Sequence, residues 1–296
     1  MMITGILAPV DGCERAELIL PYVEELSSRL GANVTLLHVY PPTLHLQRDA
    51  HIQYVETLSS QVRKSIRNDH IQVVGVALEG SPNRAIADYA AREDVSLIAA
   101  VPHSQSSEGH WTVGRTADKV IRETNKPILL VRTGLPGTGS DGVLNRILIP
   151  LDGSRTSREV LPHVNAILGR NSDSSPRLIW LTHVVPSEHY ATGPLIAKRV
   201  PYTQSELEEL RRQASRYLEE VATRLRAGGS SVETRVAVGS DTATMILETS
   251  AEVGANLIAM TTHGHSGFSR LFLGSVAERV LHNSTTPLLL VKPASS

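Results

Sequence analysis

The chain has 296 residues, 41% of them hydrophobic and 20% charged, with a formal net charge of −1. That length suggests two ordinary domains, each able to bury a core. The near-neutral balance gives no whole-protein attraction for nucleic acid or an anionic membrane, so neither is expected as a partner. Cys13 is the only cysteine, which leaves no internal disulfide and fits a cytoplasmic protein. It follows a tight Asp-Gly turn and reads as an incidental small residue rather than a reactive thiol. No apolar run reaches the ~18 residues of a membrane span, and the N-terminus starts a strand at once, without the pattern of a secretory leader.

Taken in chain order, apolar runs at 3–10, 34–40, 71–77, 95–101 and 127–132 read as strands. Helical spacing covers 14–30, part of 50–67, 83–92 and 115–124. The same order then recurs, with strands at 146–151, 177–184, 232–238, 256–261 and 287–292. The matching helices are 154–168, 203–226, 242–253 and 275–283. The halves also share words. ILAPVDG at 6–12 answers ILIPLDG at 147–153, His38-Val39 answers His183-Val184, and Pro127 answers Pro287. A repeat of half the chain is a whole domain, not a solenoid unit. The expected division is 1–133 and 146–296, joined by a Gly/Ser-rich linker at 134–145. Strands separated by helices predict an α/β fold, with a parallel sheet covered on both faces in each half.

The second half carries the more telling stretch, LIAMTTHGHSGFSRLFLGSVAERVLHNSTTPLLLVK at 257–292. It reads as strand, glycine-bearing loop, helix and strand. A helix N-terminus behind such a loop is a ready anion site, with unpaired N–H groups and the positive end of the peptide dipoles. Gly264, nine residues, Gly274 and Ser275 form neither a Walker A loop nor a dinucleotide fingerprint. The spacing resembles the nucleotide loop of the universal stress protein family, Gly-x-x-Gly-(nine)-Gly-Ser/Thr, with Thr261 in place of the first glycine. The resemblance covers nearly the whole chain, because the pattern occurs twice.

The resemblance implies two repeated open, doubly wound, five-stranded parallel sheets, Rossmann-like, of strand order 3-2-1-4-5. Ligands then sit beyond the strand ends where the order reverses. Carried over by position, the implied nucleotide contacts are Pro150, Asp152, Val184, Met260, Thr261, Gly264, Gly274, Ser275 and Val276, with His263, His265 and Gly267 ranked below them. The implied ligand is ATP, or ADP or AMP, with Mg as an optional companion. In the first half Asp11 and Val39 are kept. However, Val101 and Ser104 stand where the loop has Thr261 and Gly264, and Arg115 replaces the serine. That half is expected to have lost the standard pocket, with Arg115 free to meet some other anion. His183 and His263 read as packing or solvated side chains, since no ligand cluster accompanies them.

The resemblance further implies a regulatory or stress-tolerance role. The sequence has no Walker lysine, paired metal-binding acids or nucleophile elbow, so no enzyme is expected beyond slow ATP hydrolysis. A nucleotide-free interaction or sensor protein of the same fold stays open, as does, more remotely, an adenylating or electron-transfer enzyme. The family also implies a pseudo-dimer of the two domains through Pro127–Val131 and Pro287–Val291, and allows a homodimer of chains.

Overall fold

The computed structural model describes residues 3–102, 114–132, 143–168, 178–192, 197–263 and 273–293. The first half runs β1 (Gly5–Val10), α1 (Glu14–Glu17), α2 (Leu20–Leu30), β2 (Asn33–Tyr40), α3 (Arg48–Ser65), β3 (Val73–Glu79), α4 (Pro82–Ala90), β4 (Leu97–Ala100), α5 (Arg115–Glu123) and β5 (Ile128–Leu130). The second runs β6 (Arg146–Pro150), α6 (Leu161–Leu168), β7 (Leu178–Pro186), β8 (Glu188–Thr192), β9 (Ala197–Pro201), α7 (Gln204–Ala227), β10 (Ser231–Gly239), α8 (Thr242–Glu252), β11 (Leu257–Thr261), α9 (Ser275–Asn283) and β12 (Leu288–Val291). The expected linker falls largely outside the described residues.

Within each half the strands are parallel in the order 3-2-1-4-5, as the resemblance implies. The two sheets join edge to edge. β12 pairs antiparallel with β5, Leu288 opposite Leu130 and Leu290 opposite Ile128, giving one ten-stranded sheet. Pairing hides two apolar edges that would otherwise invite aggregation. Side-chain alternation sends Ile6, Ala8 and Val10 to one face and Leu7 to the other. The first face is covered by α1–α3, α6 and α7, the second by α4, α5, α8 and α9.

A reciprocal pair of cations locks the join. Arg132, just past β5, is buried and donates to the carbonyls of Leu281, His282 (2.9 Å) and Ser284 (3.0 Å), at the end of α9. Lys292, at the matching place after β12, donates to the Arg122 carbonyl near the end of α5. Each cation thus meets the negative end of the other half's helix and satisfies carbonyls left without intrahelical partners. On the opposite face, Glu25 and Arg29 of α2 grip Val143, Leu144 and Asn145 on the approach to β6.

Two expected helices are broken. Residues 14–30 form α1 and α2 with a turn between, and 154–168 form a 3-10 turn (Ser157–Val160) leading into α6. Pro21 and Pro162 occupy equivalent places near the start of the second piece. Neither proline can donate to the carbonyl four residues back, so the helix restarts there. The sequence reading also missed β8 and β9, an antiparallel hairpin after β7 with an Arg199–Glu188 ion pair of 2.9 Å. In the first half a 3-10 segment, Pro42–Gln47, takes that place.

Candidate functional site

The order of the second-half strands reverses at β6, which has β7 on one side and β11 on the other. Crossovers leaving a sheet in opposite directions open a crevice past the strand ends. A cavity of ≈ 230 Å³ lies there, lined among others by Pro150, Asp152, Val184, Met260, Thr261, His263, Gly274, Ser275 and Val276. The described residues carried over from the motif are brought together at one spot. Gly264, His265 and Gly267 lie outside the described residues.

The aspartate sits in a tight turn. Gly153 adopts φ +86, a conformation that favours glycine, and Ser154 N–H donates to Asp152 Oδ1 at 2.9 Å. Ser154 in turn accepts from Ser157 N–H at 2.9 Å, which starts the next helical segment. This turn ends the strand, leads into the 3-10 segment and at the same time brings a carboxylate to the crevice. The long helix supports it from below, where burial raises the Tyr217 hydroxyl pKa beside Ser157 and Gly153.

Val184 contributes by position in its strand. Thr182 directs its carbonyl to the β6 edge, where it accepts from Leu151 N–H at 2.8 Å. The last residue of β6 in register is Pro150, opposite Thr182. Two residues on, strand alternation turns the Val184 peptide groups to that same edge, past the end of β6. His183 points the other way, its ring edge-on to Tyr217 at 6.2 Å, as a packing residue would.

The loop's two ends are tied together. Gly274 N–H donates to the Thr262 carbonyl at 2.8 Å, and a Cβ on Gly274 would stand 3.0 Å from that same oxygen. Close approach, rather than positive φ, is why glycine is needed: φ here is −62. Gly274 is the N-cap of α9 and contributes no side-chain cap, so the first-turn N–H groups lack an intrahelical partner, and Ser275, Val276 and Ala277 line the crevice. Thr261 closes β11 in extended backbone, where β-branching costs nothing, and donates to the His263 carbonyl at 2.8 Å. Its substitution for glycine is therefore accommodated by an ordinary strand end. His263 itself is held by Thr262 Oγ1, 3.0 Å from its Nδ1. Among the described residues, no cluster of three metal-ligating side chains occurs.

The first half has a cavity of similar size, ≈ 250 Å³, at the equivalent place. Asp11, Val39 and Arg115 all line it. Asp11 Oδ1 accepts from Cys13 N–H at 3.0 Å, repeating the second-half turn, and Gly12 has φ +85. Gly114 caps α5 with φ −63 and ψ 152, against −62 and 148 at Gly274. What changed is the lining. Val101 replaces Thr261, Ala100 replaces Met260, Arg115 replaces Ser275 and Leu37 replaces Thr182.

The motif-based reading missed Leu151, Ser157, Thr182, Thr242, Ile246, Thr262 and Ala277 around the second-half cavity. Strand alternation held a signal for one of them, since Thr182 stands two residues before Val184 and shares its face.

A sequence model of the universal stress protein family matches residues 2–132 and again 144–292. The chain belongs to the universal stress protein family. Across both halves the chain is similar to a universal stress protein of Mycolicibacterium smegmatis, 22% identical over 98% of this chain and 97% of that one. A universal stress protein of Methanocaldococcus jannaschii is 33% identical over 51% of this chain and 84% of its own. Among solved structures, a universal stress protein from Archaeoglobus fulgidus covers 99% of this chain and 98% of its own, with a TM-score of 0.68 and 16% identity. That likeness speaks for the fold. No helix among the described residues is long and apolar enough to cross a membrane.

Proposed function

We propose that the C-terminal half binds an adenine nucleotide, with ATP as the leading ligand and ADP or AMP as alternatives. The observation that carries this is the convergence on one cavity of Asp152, the Val184 peptide edge and the N-terminus of α9. The carboxylate suits ribose hydroxyls, the strand edge suits a base, and the helix start suits phosphates. A cavity of ≈ 230 Å³ falls short of the roughly 300–1,000 Å³ of whole drug-sized ligand sites and suits a base with its sugar. The polyphosphate would then lie toward the loop. Any magnesium ion would arrive on the phosphates, since those oxygens are its usual protein-site partners.

The N-terminal half is proposed to have lost this activity, because Arg115 and Val101 stand where the motif places a hydroxyl and a glycine. The protein as a whole acts as a cytoplasmic regulatory or stress-tolerance module, with at most slow ATP hydrolysis. The two domains, 1–133 and 146–296, work as a pseudo-dimer through β5 and β12, and two chains can associate further. Denaturing the purified protein and analysing what it releases tests the ligand directly. Adenine nucleotide in the supernatant, with micromolar ATP binding by calorimetry, is the expected result. Empty protein that also fails to bind added ATP leaves the nucleotide-free sensor as the better reading.

A further inference from the structure

The floor of the C-terminal cavity carries a group that the fold leaves unserved. Thr182 is fully buried at 0% exposure and lines the cavity. Its Oγ1 has no hydrogen-bond partner among the described residues. Burying a hydroxyl without a partner is unfavourable, and a β-branched apolar residue would fill the same volume without that cost. The first half illustrates the apolar solution, with Leu37 at the matching position of β2. The same cavity has apolar walls in Val184 on the same strand face, Met260 at the end of β11, and Ile246 of α8.

We propose that Thr182 is the specificity-determining residue of this cavity, its hydroxyl hydrogen-bonding the polar edge of a flat aminopurine-type base. This rests on the nucleotide reading above. A threonine hydroxyl offers one donor and accepting lone pairs, so it can serve a ring nitrogen, an exocyclic amine, or both on one edge. The apolar walls hold the ring faces, and the hydroxyl serves the base's polar edge beside the Val184 peptide groups. Leu37 offers no such hydroxyl, so the N-terminal half should favour a ligand without a polar group at that point.

The test is calorimetry on the full chain with ATP and, separately, with inorganic tripolyphosphate as a probe that lacks the base. Thr182→Val keeps the shape and removes the hydroxyl, and Thr182→Ser keeps the hydroxyl. The valine variant should bind ATP about tenfold more weakly. The serine variant should stay within about threefold of wild type, and tripolyphosphate binding should not change. Without ligand, the valine variant should melt no lower than wild type, because an unserved buried hydroxyl has gone. Equal ATP affinity in wild type and the valine variant overturns the assignment while leaving the nucleotide site standing. A valine variant that fails to fold, or that loses ATP and tripolyphosphate alike, marks the hydroxyl as structural and also overturns it. A wild type that binds no ATP removes the nucleotide reading and this proposal together.

Discussion

Set side by side, the crevices of the two halves start from the same parts. Each has a strand ending in Pro-x-Asp-Gly, a glycine at positive φ, and a helix capped by a glycine of nearly identical backbone angles. Their volumes also agree, at ≈ 250 and ≈ 230 Å³. They part where side chains meet the space. Leu37, Ala100, Val101 and Arg115 stand against Thr182, Met260, Thr261 and Ser275. Backbone geometry is fixed by the fold, since the turn and the cap also terminate a strand and start a helix. Side chains that only face a ligand are free to drift. A cavity at the expected place therefore says where a ligand could sit, and only its lining says which.

Gly274→Val should separate the two crevices most clearly. A side chain there presses on the Thr262 carbonyl, 3.0 Å from a Cβ, and pushes α9 off the loop. ATP binding should fall by about a hundredfold, or ~2.7 kcal/mol. Arg115→Ala, in the other crevice, should leave ATP affinity unchanged to within about twofold, and calorimetry on both variants checks the contrast. A large loss with Arg115→Ala would move the site to the wrong half.

The reciprocal cations offer the next test. Arg132→Ala strands three carbonyls at the end of α9 and should cost ~2–4 kcal/mol of stability. Lys292→Ala strands one carbonyl at the end of α5 and should cost ~1 kcal/mol. Urea denaturation measures both. Equal costs would mean that the two sides of the join are not held as the hydrogen bonds imply.

Acid should act on both halves, with the smallest effect. Burial lowers the pKa of His38 in the first half and of His163 in the second below the ordinary 6.5. His38 also hydrogen-bonds the Val10 carbonyl (3.0 Å) and faces His51, 3.0 Å away. A lowered folded-state pKa means that the unfolded chain binds more protons below pH 6.5. Stability is thus full above 6.5 and is lost as the pH falls toward the folded-state values. Denaturation at pH 7.5 and 5.5 should show the lower midpoint at 5.5. His38→Gln should flatten part of that slope, and an unchanged slope would acquit His38.

Much of this was legible in the sequence, because duplication writes each strand and helix twice. ILAPVDG against ILIPLDG fixes the first strand and its turn in both halves, and the Pro127 and Pro287 pair fixes the last. The helix breaks at Pro21 and Pro162 were not read, since the apolar spacing of Ile19, Val23 and Leu26 continues through the turn. The β8–β9 hairpin escaped because its strands are short and lack an Asn-Gly or Asp-Gly signal. Of the site, the motif marked the residues it contains and nothing between them. Thr182 belongs to no motif, and its meaning comes from burial at the foot of a cavity, which spacing alone does not disclose.

The most direct measurement counts nucleotides per chain by native mass spectrometry after incubation with ATP, for wild type and for Gly274→Val. One nucleotide per wild-type chain and none on the variant is the expected result. Two per wild-type chain, or one that persists on the variant, would place binding in the first half and contradict it.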